Sequence, residues 1–506
     1  MKKIIIAFAF FISVNGFQAC SKFDSINTNP NVTGTVTPSM LATNLILNIT
    51  QASADKSFTS PYLVSKHIAW GEMAQAEQYN YFGRTGFGGM PVLTNVNKMI
   101  SLSADVDKNG YTGLGLFIRA YKQFNLSISL GDIPYSDALQ GEGGNIKPKY
   151  DTQKDVMLQI LKDLDNADKS FAAARNFGGD PIFNGNVQTW RKVVNSFRLK
   201  VLMSLSLKES DPDLKIKETF AAVSALPLLA GNSDNLQLVF SNKAGQLYPY
   251  NNTINKYTAY GMMSNVLTDS LKKMNDYRLF YFANPAATAI AGGKQPSDWD
   301  AYIGVDPTAD FSQIVTLYTA GKYSQLNARY IQLPAGEPLM RISYAEQNFI
   351  LAEAVLRGWI SGNAQNYYNA GITAAMNFIV AYTPDDPLYN HGRKIDGPYI
   401  QSYLASSAIA LSPDATKALK QIWQQKYILY FMQHPWDAYY EYRRTGYPAL
   451  PINPATSQNI DDKNSMPLRW MYATDEYTYN GDNLKEALTR QYGGQDKTNG
   501  VMWILK

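Results

Sequence analysis

Between Arg341 and Phe378 the chain carries two successive apolar stripes at helical spacing, divided by glycines, and no other stretch limits the fold so tightly. Ile342, Ala345, Phe349, Ala352 and Leu356 fall at offsets 0, 3, 7, 10 and 14, so they share one side of an α-helix. Gly358 follows where a helix C-terminus favours a residue free to take positive φ. A second stripe, Tyr368, Ile372, Ala375 and Ile379, begins after a connection through Gly362 and Asn363. Small residues at Ala352, Ala354, Gly358, Ala364 and Ala374, with Tyr368, approximate a tetratricopeptide helical hairpin, whose small side chains let two helices approach closely. One hairpin cannot bury its own apolar face, so others must stack on it.

Further helices are readable elsewhere. Thr37 and Pro38 form an N-cap and first-turn pair for a helix carrying Leu41 and Leu45. Leu114, Phe117, Tyr121, Phe124 and Ile128 repeat the 0, 3, 7, 10, 14 spacing, and Thr152 opens a helix through Val156, Ile160, Leu164 and Ala167. Trp190, Val194, Phe197 and Val201 mark another, and Ser412 with Pro413 starts one through Ala415, Leu419 and Ile422. From about residue 231 to 338 such stripes are rare apart from Val266 to Leu271, and Gly, Pro, Asn, Tyr and Ser dominate. Long irregular segments inside a compact protein are usually functional. With no regular strand spacing there, the segment reads as a loop-rich cap woven into the helical body. The expected fold class is therefore mainly all-α, with residues 37–506 as a single domain.

The N-terminus has its own signature. Lys2 and Lys3 precede an apolar run from Ile4 to Val14, too short to cross a bilayer, which predicts a signal peptide over residues 1–19. Cys20, the only cysteine among 506 residues, follows Ala19 as a bacterial lipidation site would, although Phe17 and Gln18 depart from the common lipobox. Lipidation there would add about 0.8 kcal/mol of membrane affinity per buried methylene. Residues 20–36, rich in Asn, Thr and Pro, read as a tether. With no second thiol the mature chain has no disulfide, and a large core must supply its stability. No later run of 18 or more apolar residues occurs, so the chain beyond Cys20 is expected to be water-soluble.

Several function classes lack residues to carry them. The net charge is only +4, with no Lys/Arg cluster of the kind that reads phosphates. His67, His391 and His434 stand apart, without metal-ligand spacing, and no nucleophile elbow, phosphate loop or dinucleotide fingerprint is present. Nothing therefore points to catalysis, a resident metal or a cofactor. Glu346 and Glu353 share a helix face, and Glu353 with Arg357 reads as a solvated i,i+4 pair contributing about 0.3–0.5 kcal/mol. Arg443 and Arg444, beside Trp436, Tyr439, Tyr440 and Tyr442, read as guanidinium groups packed on rings. Asp461 and Asp462 read as a solvated loop in preference to a calcium site.

Rings are the surplus. With 34 Tyr, 22 Phe and 8 Trp, the chain has more than a core needs, and surface rings with polar edges suit sugars or peptides. The better ligand-binding candidates lie on loops: Trp70 near the end of an early helix, and Gln75, Tyr79, Tyr81, Phe82 and Arg84 in the glycine-rich loop after it. From the cap come Trp299 and Tyr302, with Tyr318 and Tyr323 as weaker choices.

One set of elements, taken in order, resembles a known family. Phe23, Asp24, Ile26, Asn27, Asn29 and Pro30 come first, then GDIPYSDAL from Gly131, then Pro148, Tyr150, Asp151 and Gln153. Trp190, Asn195, Ser196, Arg198 and Leu199 follow, then YAEQNFILAEAVLRG, QQKYILYFMQHPWDAYYEYRRTGYPAL, and finally Arg469, Tyr472, Glu476, Asn480 and Gly494. Together they resemble the SusD/RagB family of Bacteroidetes outer-membrane nutrient-binding lipoproteins, in its branch described as starch-binding and associating with the outer membrane. The sequence departs from the pattern before Arg278, where Asp276 and Tyr277 stand without the usual Pro, and at His434–Pro435, where Gly and Glu are common. The resemblance implies a right-handed scaffold of tetratricopeptide-like hairpins, lipid-anchored to the outer membrane and facing the exterior. It further implies a lid on a TonB-dependent barrel transporter of the SusC type, with the loop after the Trp70 helix and the cap lining the glycan-facing surface. An oligosaccharide is the expected ligand; a peptide receptor of the same architecture, or a surface glycoside hydrolase, is the alternative.

Overall fold

A computed structural model describes residues 35–506. The signal segment, Cys20 and nearly all of the tether lie outside the described residues. The longer helices of the scaffold, numbered in chain order, are α1 (Pro38–Thr50), α2 (Thr94–Leu102), α3 (Asp105–Leu130), α4 (Gln153–Ala172), α5 (Val187–Ser204) and α6 (Ile216–Ser224). After the cap come α7 (Tyr344–Leu356), α8 (Ala364–Ala381), α9 (Ala415–Leu429), α10 (Asp437–Thr445) and α11 (Gly481–Tyr492). Helices pair as hairpins, α3 with α4, α5 with α6 and α7 with α8, and the hairpins stack through α4 on α5, α5 on α7 and α7 on α9. The fold is mainly helical, as the stripes predict.

Local chemistry sets the ends. The side chains of Thr37, Thr152, Asn186, Ser343 and Asn363 each accept a backbone N–H in the first turn of the helix that follows, a cap that contributes about 1 kcal/mol. Ser343 starts α7 one residue after Ile342, so that first member of the predicted stripe belongs to a strand instead of the helix. Asp414, two residues beyond Ser412, caps α9. Within the central hairpin a Cβ on Gly371 would come within 2.6 Å of the Phe349 ring, so only glycine lets α8 lie this close to α7.

Three small two-stranded sheets tie distant segments together. The strands are β1 (Ile68–Trp70), β2 (Arg84–Thr85), β3 (Leu236–Leu238), β4 (Gly261–Met263), β5 (Leu339–Ile342) and β6 (Met471–Tyr472). β1 pairs antiparallel with β4, β3 antiparallel with β5, and β2 parallel with β6. The cap is more ordered than its composition predicts: besides Asn265–Lys273 it holds a helix at Phe311–Thr319, of which only Ile314 is buried. A stripe of one residue leaves no periodicity to read.

Apolar packing divides into two large clusters. One gathers α1 to α6 with α11. The other joins Tyr248, Met263, Leu267 and Phe280 of the cap to Phe349 and Tyr368 of the central hairpin and to Ile422 and Tyr427 of α9. Cap and scaffold thus share a core. No helix among the described residues is long and apolar enough to cross a membrane.

Candidate functional site

The α1 C-terminus, the glycine-rich loop after β2, the middle of α3, the end of β5 and the start of α10 surround a cleft of about 460 Å³. That volume lies within the range of about 300–1,000 Å³ in which small-molecule sites fall. Its walls carry Phe87, Tyr121, Trp436, Tyr440 and Trp470, all half-buried, interleaved with Asn48, Lys122, Asn125, Ser129 and Arg341. Trp436 and Trp470 meet edge to face, with centroids 4.9 Å apart and an interplanar angle of 88°. Behind them Phe82 stacks on Trp470 at 4.4 Å, and Tyr439 meets the same indole at 5.8 Å. The ring wall is therefore backed by other rings and held in place.

Trp436 takes φ 69° and ψ −21°, a left-handed backbone at a bulky residue. Such a conformation costs about 1–3 kcal/mol and persists where the surroundings impose it, often at functional positions. Here it stands immediately before α10, with His434 and Pro435 also lining the cleft.

The floor is ionic. Lys200 Nζ lies 3.0 Å from Glu346 Oε1 and 2.6 Å from Asp437 Oδ2, while Tyr430 donates its hydroxyl to Glu346 Oε1 at 2.9 Å. Burial alone would raise the Asp437 carboxyl, but the charge of Lys200 and bonds from His434 and Lys200 outweigh it and hold the group well below the usual carboxylate range. Glu346, His434 and Asp437 bring three ligand atoms within 4.8 Å of one another, the only such grouping among the described residues. Lys200 Nζ already pairs with both of these carboxylates.

Two further cations stand higher on the wall. Arg341 donates from Nε to the Ile49 carbonyl at 3.0 Å and from Nη2 to those of Thr50 and Gln51 at 3.0 and 2.8 Å, satisfying the last turn of α1. Lys122 Nζ donates to Asn48 Oδ1 at 2.7 Å, and burial lowers its pKa.

The eight sequence-predicted ligand residues do not assemble into one surface. Trp70 is fully buried in β1, with its indole N–H 3.4 Å from Glu72 Oε2 and its ring against Tyr260. Tyr79 is buried and donates its hydroxyl to the Ala309 carbonyl at 3.1 Å. Tyr302 is buried against Phe280 and donates to the Pro296 carbonyl at 2.8 Å. Phe82 is buried behind the cleft. Gln75 is half-buried and donates to the carbonyls of Met73 and Ala74, and Trp299 is half-buried against Phe280 and Tyr277. Arg84 donates to the Tyr472 carbonyl and pairs with Asp496 at 3.0 Å, and Tyr81, 40% exposed, is the most open ring of the set. The weaker choices Tyr318 and Tyr323 stack on each other, half-buried, at 5.6 Å.

Three charged groups differ from, or agree with, their sequence readings. Glu353 is fully buried, not solvated: Arg444 grips it with two bonds of 2.7 and 2.8 Å, and Arg357 and Trp423 add a third and fourth. Arg443 does pack on rings, 4.6 Å from the Tyr440 centroid and 5.0 Å from that of Tyr439, whereas Arg444 serves the Glu353–Glu441 cluster. Asp461 accepts from Thr498 Oγ1 and the Asn499 N–H, tying its loop to the C-terminal segment, and Asp462 accepts from the Asn464 N–H within its own loop.

A stack of helical hairpins with an irregular cap and a ring-walled cleft defines a ligand-binding scaffold. The family profile described as "Starch-binding associating with outer membrane" matches residues 30–473, and the chain belongs to this SusD-like family. A SusD homologue from Bacteroides fragilis NCTC 9343 is 49% identical and superposes with a TM-score of 0.91, over 93% of this chain and 100% of its own. An outer-membrane protein of Bacteroides vulgatus ATCC 8482 connected with nutrient binding is 33% identical, with a TM-score of 0.84 over 93% and 100% of the two chains. At 18% identity, a chitin-binding SusD homologue from Flavobacterium johnsoniae shares the fold, with a TM-score of 0.72 over 93% and 98%. No curated protein sequence matches the chain.

Proposed function

We propose that this protein is a non-catalytic surface lipoprotein, anchored through Cys20, that captures oligosaccharides and passes them to a SusC-type TonB-dependent transporter in the outer membrane. The observation that carries the reading is the cleft, in which the Trp436–Trp470 corner offers flat apolar area and Asn48, Asn125 and Ser129 offer donors and acceptors at its edge. A pyranose needs both: a ring face to cover its C–H surface and side chains to fix its hydroxyls. Family membership supports glycan as the ligand class, and the chitin-binding relative is an instance on the same fold. Against hydrolysis, the floor carboxylates Glu346 and Asp437 both pair with the one ammonium of Lys200, and Glu346 also accepts from Tyr430, so neither stands free as an acid or base across a substrate.

The test is calorimetric titration of the purified protein with a panel of oligosaccharides. Replacing Trp436 and Trp470 together by Ala should abolish binding with the helical circular dichroism retained, while Tyr81→Ala and Trp299→Ala should change affinity less than threefold. Binding that survives loss of both tryptophans but not of Tyr81 and Trp299 would move the site to the loop and cap. Sugar released during long incubation would establish a hydrolase.

A further inference from the structure

Cleft charges are unbalanced in a way that the neutral sugars of the proposed reading do not explain. Among the residues lining it, Lys122, Lys200 and Arg341 are cationic and Asp437 is a carboxylate, with Glu346 beside it on Lys200, so three cations face two carboxylates. Lys200 is satisfied by Asp437 and Glu346. Among the described residues, Lys122 and Arg341 have no carboxylate partner at all. Lys122 Nζ has one hydrogen-bond acceptor, Asn48 Oδ1 at 2.7 Å, out of the three its ammonium can serve. Arg341 uses Nε and Nη2 on the carbonyls of Ile49, Thr50 and Gln51, leaving Nη1 with no protein acceptor. Both cations are fastened to the same four-residue stretch, Asn48 to Gln51, and both line the same cleft.

Their setting raises the energy of leaving them bare. Both are only partly exposed, and burial already lowers the Lys122 pKa, a desolvation that its one bond to Asn48 does not offset. The glycine-rich loop lies beside it: a Cβ on Gly89 would stand 3.7 Å from Lys122 Nζ, in ordinary contact. The helix end accounts for part of the Arg341 charge, since a cation belongs at a C-terminus. It does not account for Lys122, which bonds a side-chain amide and not the carbonyls.

We propose that the cleft selects anionic saccharides, with a carboxylate or sulfate of the sugar bound between Lys122 and Arg341 and a neighbouring ring laid on the Trp436–Trp470 corner. The inference rests on the glycan-receptor reading and narrows it. The anion would accept from Lys122 Nζ, which keeps donor capacity beyond its bond to Asn48, and from Arg341 Nη1, which has no protein acceptor, while Asp437 is tied to Lys200. Uronic acids and sulfated sugars present the same chemistry, an oxyanion beside a pyranose face.

The experiment titrates the whole protein with trigalacturonate, a sulfated chondroitin tetrasaccharide, maltotriose and chitotriose, in low and high salt. At least one acidic probe should bind about tenfold or more tightly than both neutral ones, the worth of one charge-assisted hydrogen bond. The advantage should shrink as salt is added. Which acidic probe wins assigns carboxylate or sulfate. Lys122→Gln, which leaves the ring wall in place, should bring the acidic-to-neutral ratio close to one, and Lys122→Arg should keep it. Neutral sugars bound as tightly as acidic ones, or an acidic preference untouched in Lys122→Gln, would overturn the inference and leave the receptor reading standing. A trimeric glutamate peptide binding as tightly as trigalacturonate overturns it too, because the pair would then be an anion site without a sugar. If no saccharide binds, the receptor reading fails and takes this one with it.

Discussion

Replacing Glu353 by Ala separates two accounts of the central hairpin by nearly an order of magnitude. As an exposed i,i+4 partner of Arg357 the carboxylate would contribute about 0.3–0.5 kcal/mol. In the structure it is fully buried, and it takes two bonds from Arg444, one from Arg357 at 2.9 Å and one from the Trp423 indole at 3.0 Å. These join α7 to α9 and α10. Removing one partner of a buried pair costs about 3–5 kcal/mol, because the other is left charged and dry. Arg444 would retain Glu441, whose Oε1 lies 2.5 Å from Nη2, so the loss should fall near the lower end, about 3 kcal/mol. Urea denaturation at pH 7 reads this as a lowered midpoint with unchanged slope. A double-mutant cycle with Arg444→Ala should show coupling of about 2 kcal/mol, and one with Arg357→Ala, whose side chain is 23% exposed, under about 1 kcal/mol. Burial alone would raise the Glu353 carboxyl, but Arg444 holds it well below the usual range. Its contribution is therefore complete above the unfolded carboxyl range and is lost as pH falls toward the folded value. A loss below 1 kcal/mol in Glu353→Ala, or equal coupling to both arginines, would refute the buried-network account.

Three other expectations rest on burial and backbone. Desolvation lowers the pKa of His67 from its ordinary 6.5 to about 3, outweighing its 2.9 Å contact with the Tyr427 carbonyl. The folded state thus binds that proton later than the unfolded one, so stability is whole above pH 6.5 and falls on acidification by about 2 kcal/mol at pH 5, at 1.36 kcal/mol per unit. The excess acid slope should vanish in His67→Gln. Trp70→Ala should cost about 3–5 kcal/mol as a core truncation, where an exposed ligand-binding ring would cost under about 0.5 kcal/mol. Gly131→Ala should destabilise by more than about 2 kcal/mol, measured by thermal unfolding, because φ is 101° and the new Cβ would meet Gln491 Oε1 and the Tyr492 hydroxyl.

What the sequence discloses and what it withholds divide along a physical line. Helical stripes are local, and nearly every one is a helix in the fold: Leu114 to Ile128 lie in α3, Val156 to Ala167 in α4, and Gly358 takes its positive φ just after α7. Burial of a particular side chain is not local. Trp70 stands in a segment that composition marks as exposed, yet β4, from about 190 residues further on, covers it by pairing with β1. Tyr79 is sealed by the Ala309 carbonyl and Glu353 by Arg444, again partners from remote parts of the chain. A period of 3.6 says which residues share a helix face, but a helix packed on several sides buries more than one face, and α7 does: nearly all of it from Ala345 to Ala354 is buried.

The same division explains why the sequence points beside the cleft instead of into it. Phe82 and Arg84 sit just before Thr85, Gly86 and Phe87, which line it, so the glycine-rich loop borders the cleft while Phe82 packs behind its wall. Phe87 lies in the same loop, and its half-buried ring comes three residues after Arg84. Trp436 and Trp470 are plain in the sequence as tryptophans but belong to segments 34 positions apart, brought edge to face only by the fold. The left-handed backbone at Trp436 has no sequence signal, since a bulky residue there runs against local preference. Lys122 and Arg341 are likewise ordinary residues on helix and strand until the end of α1 gathers them. Scaffold follows from periodicity that each segment carries alone. On the proposed reading, specificity follows from where remote segments meet: the Trp436–Trp470 corner and two cations without a carboxylate partner among the described residues. A receptor built this way can change its ligand through a few wall residues while the hairpins beneath keep the same apolar stripes.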